Sequence, residues 1–191
     1  MPVNILLSSS GRRGELVNIL KQAISEAGQS GAVLTADRSP LTAAGWLSDE
    51  LFVAPDLRDP RFLDEILTFC LSRDVTHIIP TIDTELPIYA AARDFFSARG
   101  IHVWVSSPDA VAIAQDKRAT NRWLAANSLP APRQMDLNEA LTGCQPEFPM
   151  IAKPARGSSS VGLSTVHSLE HLRSLDRKQD YVLESIAPGR E

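Results

Sequence analysis

The sequence predicts a doubly wound α/β layer with a mainly parallel sheet, followed by a smaller α+β unit. Three observations carry that reading. Short apolar runs alternate with amphipathic helical stretches through roughly the first hundred residues. Leu129-Pro130-Ala131-Pro132 then makes the clearest break in the chain. Beyond it the strand-like runs become shorter, with one helical stretch among them.

Val3 to Leu7, apolar apart from Asn4, reads as a strand covered on both faces, and Ser8-Ser9-Ser10-Gly11 turns out of it. Leu16, Ile19, Leu20, Ala23, Ile24 and Ala27 give the next segment an apolar helical face, which Gly28 ends. Ala32 to Thr35 reads as a second strand. Phe62, Leu63, Ile66, Leu67, Cys70 and Leu71 mark another amphipathic helix, with Pro60 near its start. Thr76 to Pro80 is a strand ending in Thr81-Ile82-Asp83-Thr84; a helix through Phe95 and Phe96 follows, then a strand from Ile101 to Val105. Ser107-Pro108-Asp109 starts a short capped helix, and Asp116 opens another that runs to about Asn127. Strands are expected around Arg133 to Met135, Phe148 to Lys153, Leu163 to Val166 and Tyr181 to Glu184, with a helix from Leu169 to Leu175. The boundary falls between Val105 and Pro130, and we divide the chain into 1–112 and 113–191.

At 191 residues there is room for one large domain or two small ones. The formal net charge of −4 carries no basic excess of the kind nucleic-acid binding needs. Arg12, Arg13, Lys117 and Lys153 stand out against that background as pocket residues. Neither a basic segment leading an apolar core nor a bilayer-length apolar run occurs, so a cytoplasmic protein without a membrane partner is expected. Cys70 and Cys144 lie far apart and lack metal-ligand spacing, and Cys70 falls on an apolar helix face as a buried thiol would. His167 and His171 have the i,i+4 spacing of a chelate but no third ligand nearby.

The segment Ile151 to Val166 is the most informative. An apolar run ends in Lys153 and Pro154, and the small-residue loop Gly157-Ser158-Ser159-Ser160-Val161-Gly162 leads into a second strand. A lysine at a strand end, beside a loop baring backbone N–H groups and hydroxyls, suits a polyphosphate. It is not a P-loop, because no Gly-Lys-Ser/Thr closes it and a strand follows. Gly and Ser are also ordinary hairpin residues, and a plain flexible turn accounts for the loop alone. Two further pieces add to it. Tyr181 to Glu184 ends a strand, crosses through Ser185, Ile186 and Ala187, and reaches a second carboxylate at Glu191. Gln115-Asp116-Lys117 opens a helix and supplies a second lysine.

These three pieces in this order resemble the ATP-grasp superfamily. The loop is similar to that of D-alanine–D-alanine ligases; the Glu184 segment and N-terminal half are similar to the carbamoyl phosphate synthase large subunit. The resemblance implies a Rossmann-like pre-ATP-grasp domain followed by the first part of an ATP-grasp domain. It implies ATP binding through Lys117 and Lys153 at the phosphates, the 157–162 loop as cover, Glu184, Ser185, Ile186 and Ala187 at the adenine, and Glu191 at the ribose. It also implies Mg²⁺, whose carboxylates come later in such chains. No acidic pair in a plausible position appears here, so metal and catalytic residues are expected downstream of Glu191, and the 191 residues are expected to be an inactive fragment of a longer ligase. An unpaired strand edge near Tyr181 to Glu184, and with it a homodimer, is expected on the same ground.

In open α/β sheets, ligands sit beyond the carboxyl ends of the strands. Two loops there qualify for the acceptor substrate: Ser9, Gly11, Arg12 and Arg13 in the first, and Asp83 and Glu85 in the second. Plain turn and cap chemistry explains either loop as well. The function implied is an ATP-dependent carboxylate–amine or carboxylate–thiol ligase that forms an acyl phosphate from small-molecule substrates. The alternatives are carboxylate or carbamate phosphorylation of the carbamoyl phosphate synthase kind, and a nucleotide-binding regulatory module without chemistry.

Overall fold

The computed structural model describes residues 2–143, 146–157, 159–176 and 178–187. They divide into two compact units, Met1–Pro108 and Asp109–Glu191.

The first unit contains β1 (Ile5–Ser8), α1 (Gly14–Glu26), β2 (Val33–Asp37), α2 (Ala43–Leu47), β3 (Glu50–Val53), α3 (Phe62–Ser72), β4 (His77–Pro80), α4 (Leu86–Ser97) and β5 (His102–Val103). All paired strands run parallel, in the order β3-β2-β1-β4-β5. β1 lies in the middle and is buried along its whole length, which is why Ile5, Leu6 and Leu7 are all apolar. Successive side chains of a strand face opposite ways. Accordingly Leu6 joins Leu34, Ile78, Ile66, Tyr89 and Phe96 in one core, whereas Leu7 joins Val17, Val33 and Ala44 in another. Each fully buried side chain of this size contributes about 1.5–3 kcal/mol.

After β3 the chain returns to the other side of β1 and lays down β4. The carboxyl ends of β1 and β4 therefore open the switch point where α/β sheets take ligands. Two elements lie where the sequence carries no strong period. α2 is only five residues long and is held by Gly45 N donating to Thr42 Oγ1 at 3.0 Å. β3 is a half-exposed edge strand. Cys70 is fully buried in α3, and burial pushes its thiol up to about 12. Cys144 lies outside the described residues.

The second unit begins within α5 (Pro108–Gln115) and continues with α6 (Lys117–Ala126), β6 (Gln134–Asp136), α7 (Leu137–Thr142), β7 (Met150–Pro154), β8 (Ser164–Val166), α8 (Leu169–Ser174) and β9 (Tyr181–Ser185). Its antiparallel sheet has the order β6-β9-β7-β8. The expected free edge at Tyr181 to Glu184 is therefore corrected: β9 is paired on one side with β6 and on the other with β7. The short strand after the proline break returns to cover it. One sheet face is apolar, with Met135, Ala152, Met150, Tyr181 and Leu183 packing on Leu137 and Ala140 of α7 and Leu172 of α8. The period-2 alternation then sends Gln134, Lys153, Val182 and Glu184 to the other face. No helix among the described residues is long and apolar enough to cross a membrane.

Candidate functional site

The polar face of the second sheet gathers the residues that the sequence singles out. Ile151 stands opposite Glu184 in the β7–β9 register, so Lys153, two residues on, shares a face with Glu184. Their side chains form an ion pair, with Lys153 Nζ against Glu184 Oε2. Gln134, directly opposite Glu184 on β6, donates Nε2 to Glu184 Oε1 at 3.0 Å. The carboxylate is thus held on both oxygens at a site where its residue is only 8% exposed.

α6 brings the second lysine. Asp116 caps this helix by accepting from Arg118 N and Ala119 N. Lys117 N then donates to Ala155 O at 3.0 Å, which ties the helix start to the end of β7. Gln134 Nε2 also reaches Lys117 O at 3.3 Å. Lys117 Nζ donates to Gly157 O at 3.1 Å, at the first residue of the small-residue loop. Burial, and then the neighbouring Lys153 ammonium, hold the Lys117 pKa below the ordinary lysine value, against the pull of Glu184 and Asp116. Two ammonium groups, one carboxylate and the loop mouth thus share one patch, an arrangement suited to a polyanion with hydrogen-bonding groups.

The loop itself has an unusual backbone. Gly157 (φ 123°), Ser159 (58°), Ser160 (56°) and Gly162 (77°) all lie in the left-handed region. Val161 points outward at 76% exposure. Ser158 lies outside the described residues, as does Glu191. At the far end of β9, Ser185 exchanges hydrogen bonds with Arg133: its N donates to Arg133 O at 2.9 Å, and its Oγ accepts from Arg133 N at 3.0 Å. Ile186 and Ala187 are exposed beyond the last ladder bond.

In the first unit the expected loops behave differently from each other. Glu85 is fully buried. Its Oε2 accepts from Ser8 Oγ at 2.6 Å and Ser9 Oγ at 2.8 Å; its Oε1 accepts from the N–H groups of Thr81 and Ile82 at 2.6 and 3.2 Å. Tyr89 donates its hydroxyl to Ser8 Oγ at 2.9 Å, and Thr81 Oγ1 bonds the carbonyls of Ser8 and Ser9. Burial raises the Glu85 pKa, while these donors oppose the rise. Glu85 therefore faces inward and locks the β1 and β4 loops together, whereas Asp83 is exposed. Gly11 N donates to Asp37 Oδ2 at 2.8 Å, Arg13 Nη2 reaches Thr81 O at 3.3 Å, and Arg12 is exposed.

Beside Ser8 and Ser9 lies a cavity of about 580 Å³, walled also by Asp37, Arg38, Asp56 and Arg58. Sequence reasoning passed over these four charged residues. Asp37 ends β2 and Arg38 follows it, whereas Asp56 and Arg58 lie in the loop between β3 and α3. Among the described residues, no group of three or more His, Cys, Asp or Glu side chains is placed to hold a metal ion.

Comparison with known proteins identifies this architecture as that of an ATP-grasp, carboxylate–amine-ligase-like protein. Residues 5–104 match the family described as PylC-like, N-terminal domain, and the chain belongs to that family. Curated relatives include the D-alanine–D-alanine ligase of Xylella fastidiosa, 40% identical over 68 residues (32% of this chain, 22% of the relative). That of Corynebacterium aurimucosum is 33% identical over 106 residues (53% of this chain, 30% of the relative). The matches thus span less than a third of these relatives' length. Among solved structures, N5-carboxyaminoimidazole ribonucleotide synthetase from Thermotoga maritima superimposes with a TM-score of 0.66 at 18% identity, over 97% of this chain and 46% of that one. Biotin carboxylase from Campylobacter jejuni gives 0.71 at 14% identity, over 97% and 45%. At these identities the likeness is one of fold.

Proposed function

We propose that this chain contributes the nucleotide-gripping part of an ATP-dependent ligase joining a small-molecule carboxylate to an amine through an acyl phosphate. The observation that carries the proposal is the convergence of Lys117 and Lys153 on Glu184 and Gly157, on the polar face of the second sheet. Lysine ammonium groups are compact, mobile charges suited to phosphate oxygens. Lys153 exchanges Glu184 for a β/γ-phosphate, Lys117 turns from the Gly157 carbonyl to the same polyphosphate, and the 157–162 loop excludes water above it. The exposed backbone of Ile186 and Ala187 offers donors and acceptors to an adenine edge.

In the reaction, the carboxylate oxygen attacks the γ-phosphorus and the bond to ADP breaks, giving an acyl phosphate. The amine nitrogen then attacks the acyl carbon, the carbon–oxygen bond breaks, and inorganic phosphate and a proton leave. Positioning and charge neutralisation dominate such a transfer, and the two lysines supply part of both. The solved biotin carboxylase domain of Hydrogenobacter thermophilus 2-oxoglutarate carboxylase carries magnesium with ADP. Among the described residues, no His, Cys, Asp or Glu cluster is placed to hold such an ion.

The test uses the complete gene product and candidate carboxylates labelled with ¹⁸O. ADP release that needs both carboxylate and amine, with label appearing in phosphate, supports the ligase. ADP release without label transfer contradicts the acyl phosphate, and no release with any pair contradicts the ligase.

A further inference from the structure

The first unit holds a second cavity that the nucleotide reading does not use. Its walls come from the carboxyl ends of β1, β2, β3 and β4, wholly within that unit. The strand order β3-β2-β1-β4-β5 is that of nucleotide-binding α/β layers. In such layers an acid at the end of the second strand holds ribose hydroxyls, and a nearby arginine takes a ribose phosphate.

Asp37 is the last residue of β2, and Arg38 follows it. Asp37 Oδ2 accepts from Gly11 N at 2.8 Å and Oδ1 from Ser39 N at 3.0 Å. The carboxylate is thereby fixed in direction, and each oxygen keeps acceptor capacity for a further donor. Asp56, also in the cavity wall, gathers two guanidinium groups. Arg38 Nη1 meets Oδ2 at 2.7 Å, and Arg58 meets both oxygens through Nε at 2.9 Å and Nη2 at 3.3 Å. The Arg58 guanidinium holds the Asp56 carboxyl down at about 2, so it stays ionised across the working range. Two cations against one anion leave a single positive charge there, with Arg38 Nε and Nη2 and Arg58 Nη1 not used by Asp56. Phe62 and Ile88 add apolar side chains to the cavity wall.

We infer that this cavity binds a nucleoside phosphate, with the ribose diol on Asp37, the phosphate on Arg38 and Arg58, and the base against Phe62 and Ile88. The β1–α1 loop, Ser8-Ser9-Ser10-Gly11-Arg12-Arg13-Gly14, lacks the glycine spacing that admits a pyrophosphate, so the ligand is a mononucleotide and not a dinucleotide. The inference goes beyond the ligase reading, because its residues lie in a different unit from Lys117 and Lys153.

Calorimetric titration of the complete gene product with AMP, adenosine and inorganic phosphate tests it. AMP binds the wild type and Lys153→Ala alike, and more tightly than adenosine or phosphate alone. Arg58→Gln and Asp37→Asn each weaken it about tenfold or more, since each removes a charge-assisted contact. Arg58 has a side chain 90% exposed, so its substitution leaves the fold intact even where Asp37→Asn perturbs the Gly11 contact. AMP binding abolished by Lys153→Ala but untouched by Arg58→Gln overturns the inference. So does phosphate binding as tightly as AMP, or no AMP binding at millimolar concentration.

Discussion

Lys153 and Glu184 form an ion pair across the central strands of the second sheet, on the face opposite its apolar core. Lys153 keeps a quarter of its side chain exposed, while Glu184 keeps about a tenth. The lysine therefore has a route to solvent, and the carboxylate holds its ammonium in place.

Glu184→Gln removes the charge that balances two lysines. The isosteric amide keeps the contact with Gln134 in reach but leaves Lys153 without its counterion, at a cost of about 1.5–3 kcal/mol. It also removes the pull that raises the Lys117 pKa, so Lys117 titrates lower still. Denaturant unfolding reads the first effect and NMR titration of the lysine side chains the second. Unchanged stability together with unchanged Lys117 titration contradicts the coupling.

Glu85 sets a pH dependence in the first unit. Burial raises its folded pKa above the ordinary glutamate value of 4.5, so the folded chain holds this proton to higher pH than the unfolded chain. Stability contributed by this group falls as pH rises from 4.5 through the folded value. Glu85→Gln flattens that slope. Glu85→Ala strands the Thr81 and Ile82 N–H groups and the Ser8 and Ser9 hydroxyls, and costs about 1–3 kcal/mol more than the amide. Thermal melts from pH 4 to 8, with each variant compared to wild type, decide it.

Much of the fold is legible in the sequence because α1, α3 and α4 are long enough to repeat their apolar period, and β1 is buried on both faces. α2 and α7 give too few turns for a period to show, and the edge strand β3 does not alternate cleanly. Lys117, Lys153 and Glu184 were legible as separate motif pieces; that they meet depends on the antiparallel register of β7 and β9, which local sequence does not carry. Glu85 looked like a ligand carboxylate because its hydroxyl partners, Ser8 and Ser9, lie 77 and 76 residues away. The charged walls of the first-unit cavity were missed for a similar reason: Arg38 and Arg58 become neighbours only through Asp56.

Arg118 joins three elements at the edge of the second unit. Its Nη1 and Nη2 form a fork with Asp180 at 2.8 and 2.6 Å, just before β9, and its Nε binds Asp136 at the end of β6. Lysine keeps the charge but cannot hold both carboxylates in that geometry. Arg118→Lys lowers stability by about 1–2 kcal/mol in urea unfolding, after allowance for partial exposure. A change indistinguishable from zero contradicts the role.

Gly162 takes a positive φ where the 157–162 loop re-enters the sheet, and a Cβ there would stand 2.9 Å from Pro154 Cγ. Gly162→Ala costs about 1–2 kcal/mol from the left-handed backbone alone, and it displaces the loop from Lys153's strand. A melt matching that of wild type contradicts this backbone assignment.

The most direct measurement is calorimetric titration of the complete gene product with an unreactive ATP analogue, comparing Lys153→Ala with Lys178→Ala. Both remove one ammonium from the same unit, but only Lys153 lies on the strand that feeds the loop and faces Glu184. The expected affinity is at least about tenfold weaker in Lys153→Ala, as loss of a charge-assisted phosphate contact requires, and unchanged in Lys178→Ala. Equal affinities in the two variants, both still folded by their melts, would contradict the assignment of this patch to nucleotide phosphates.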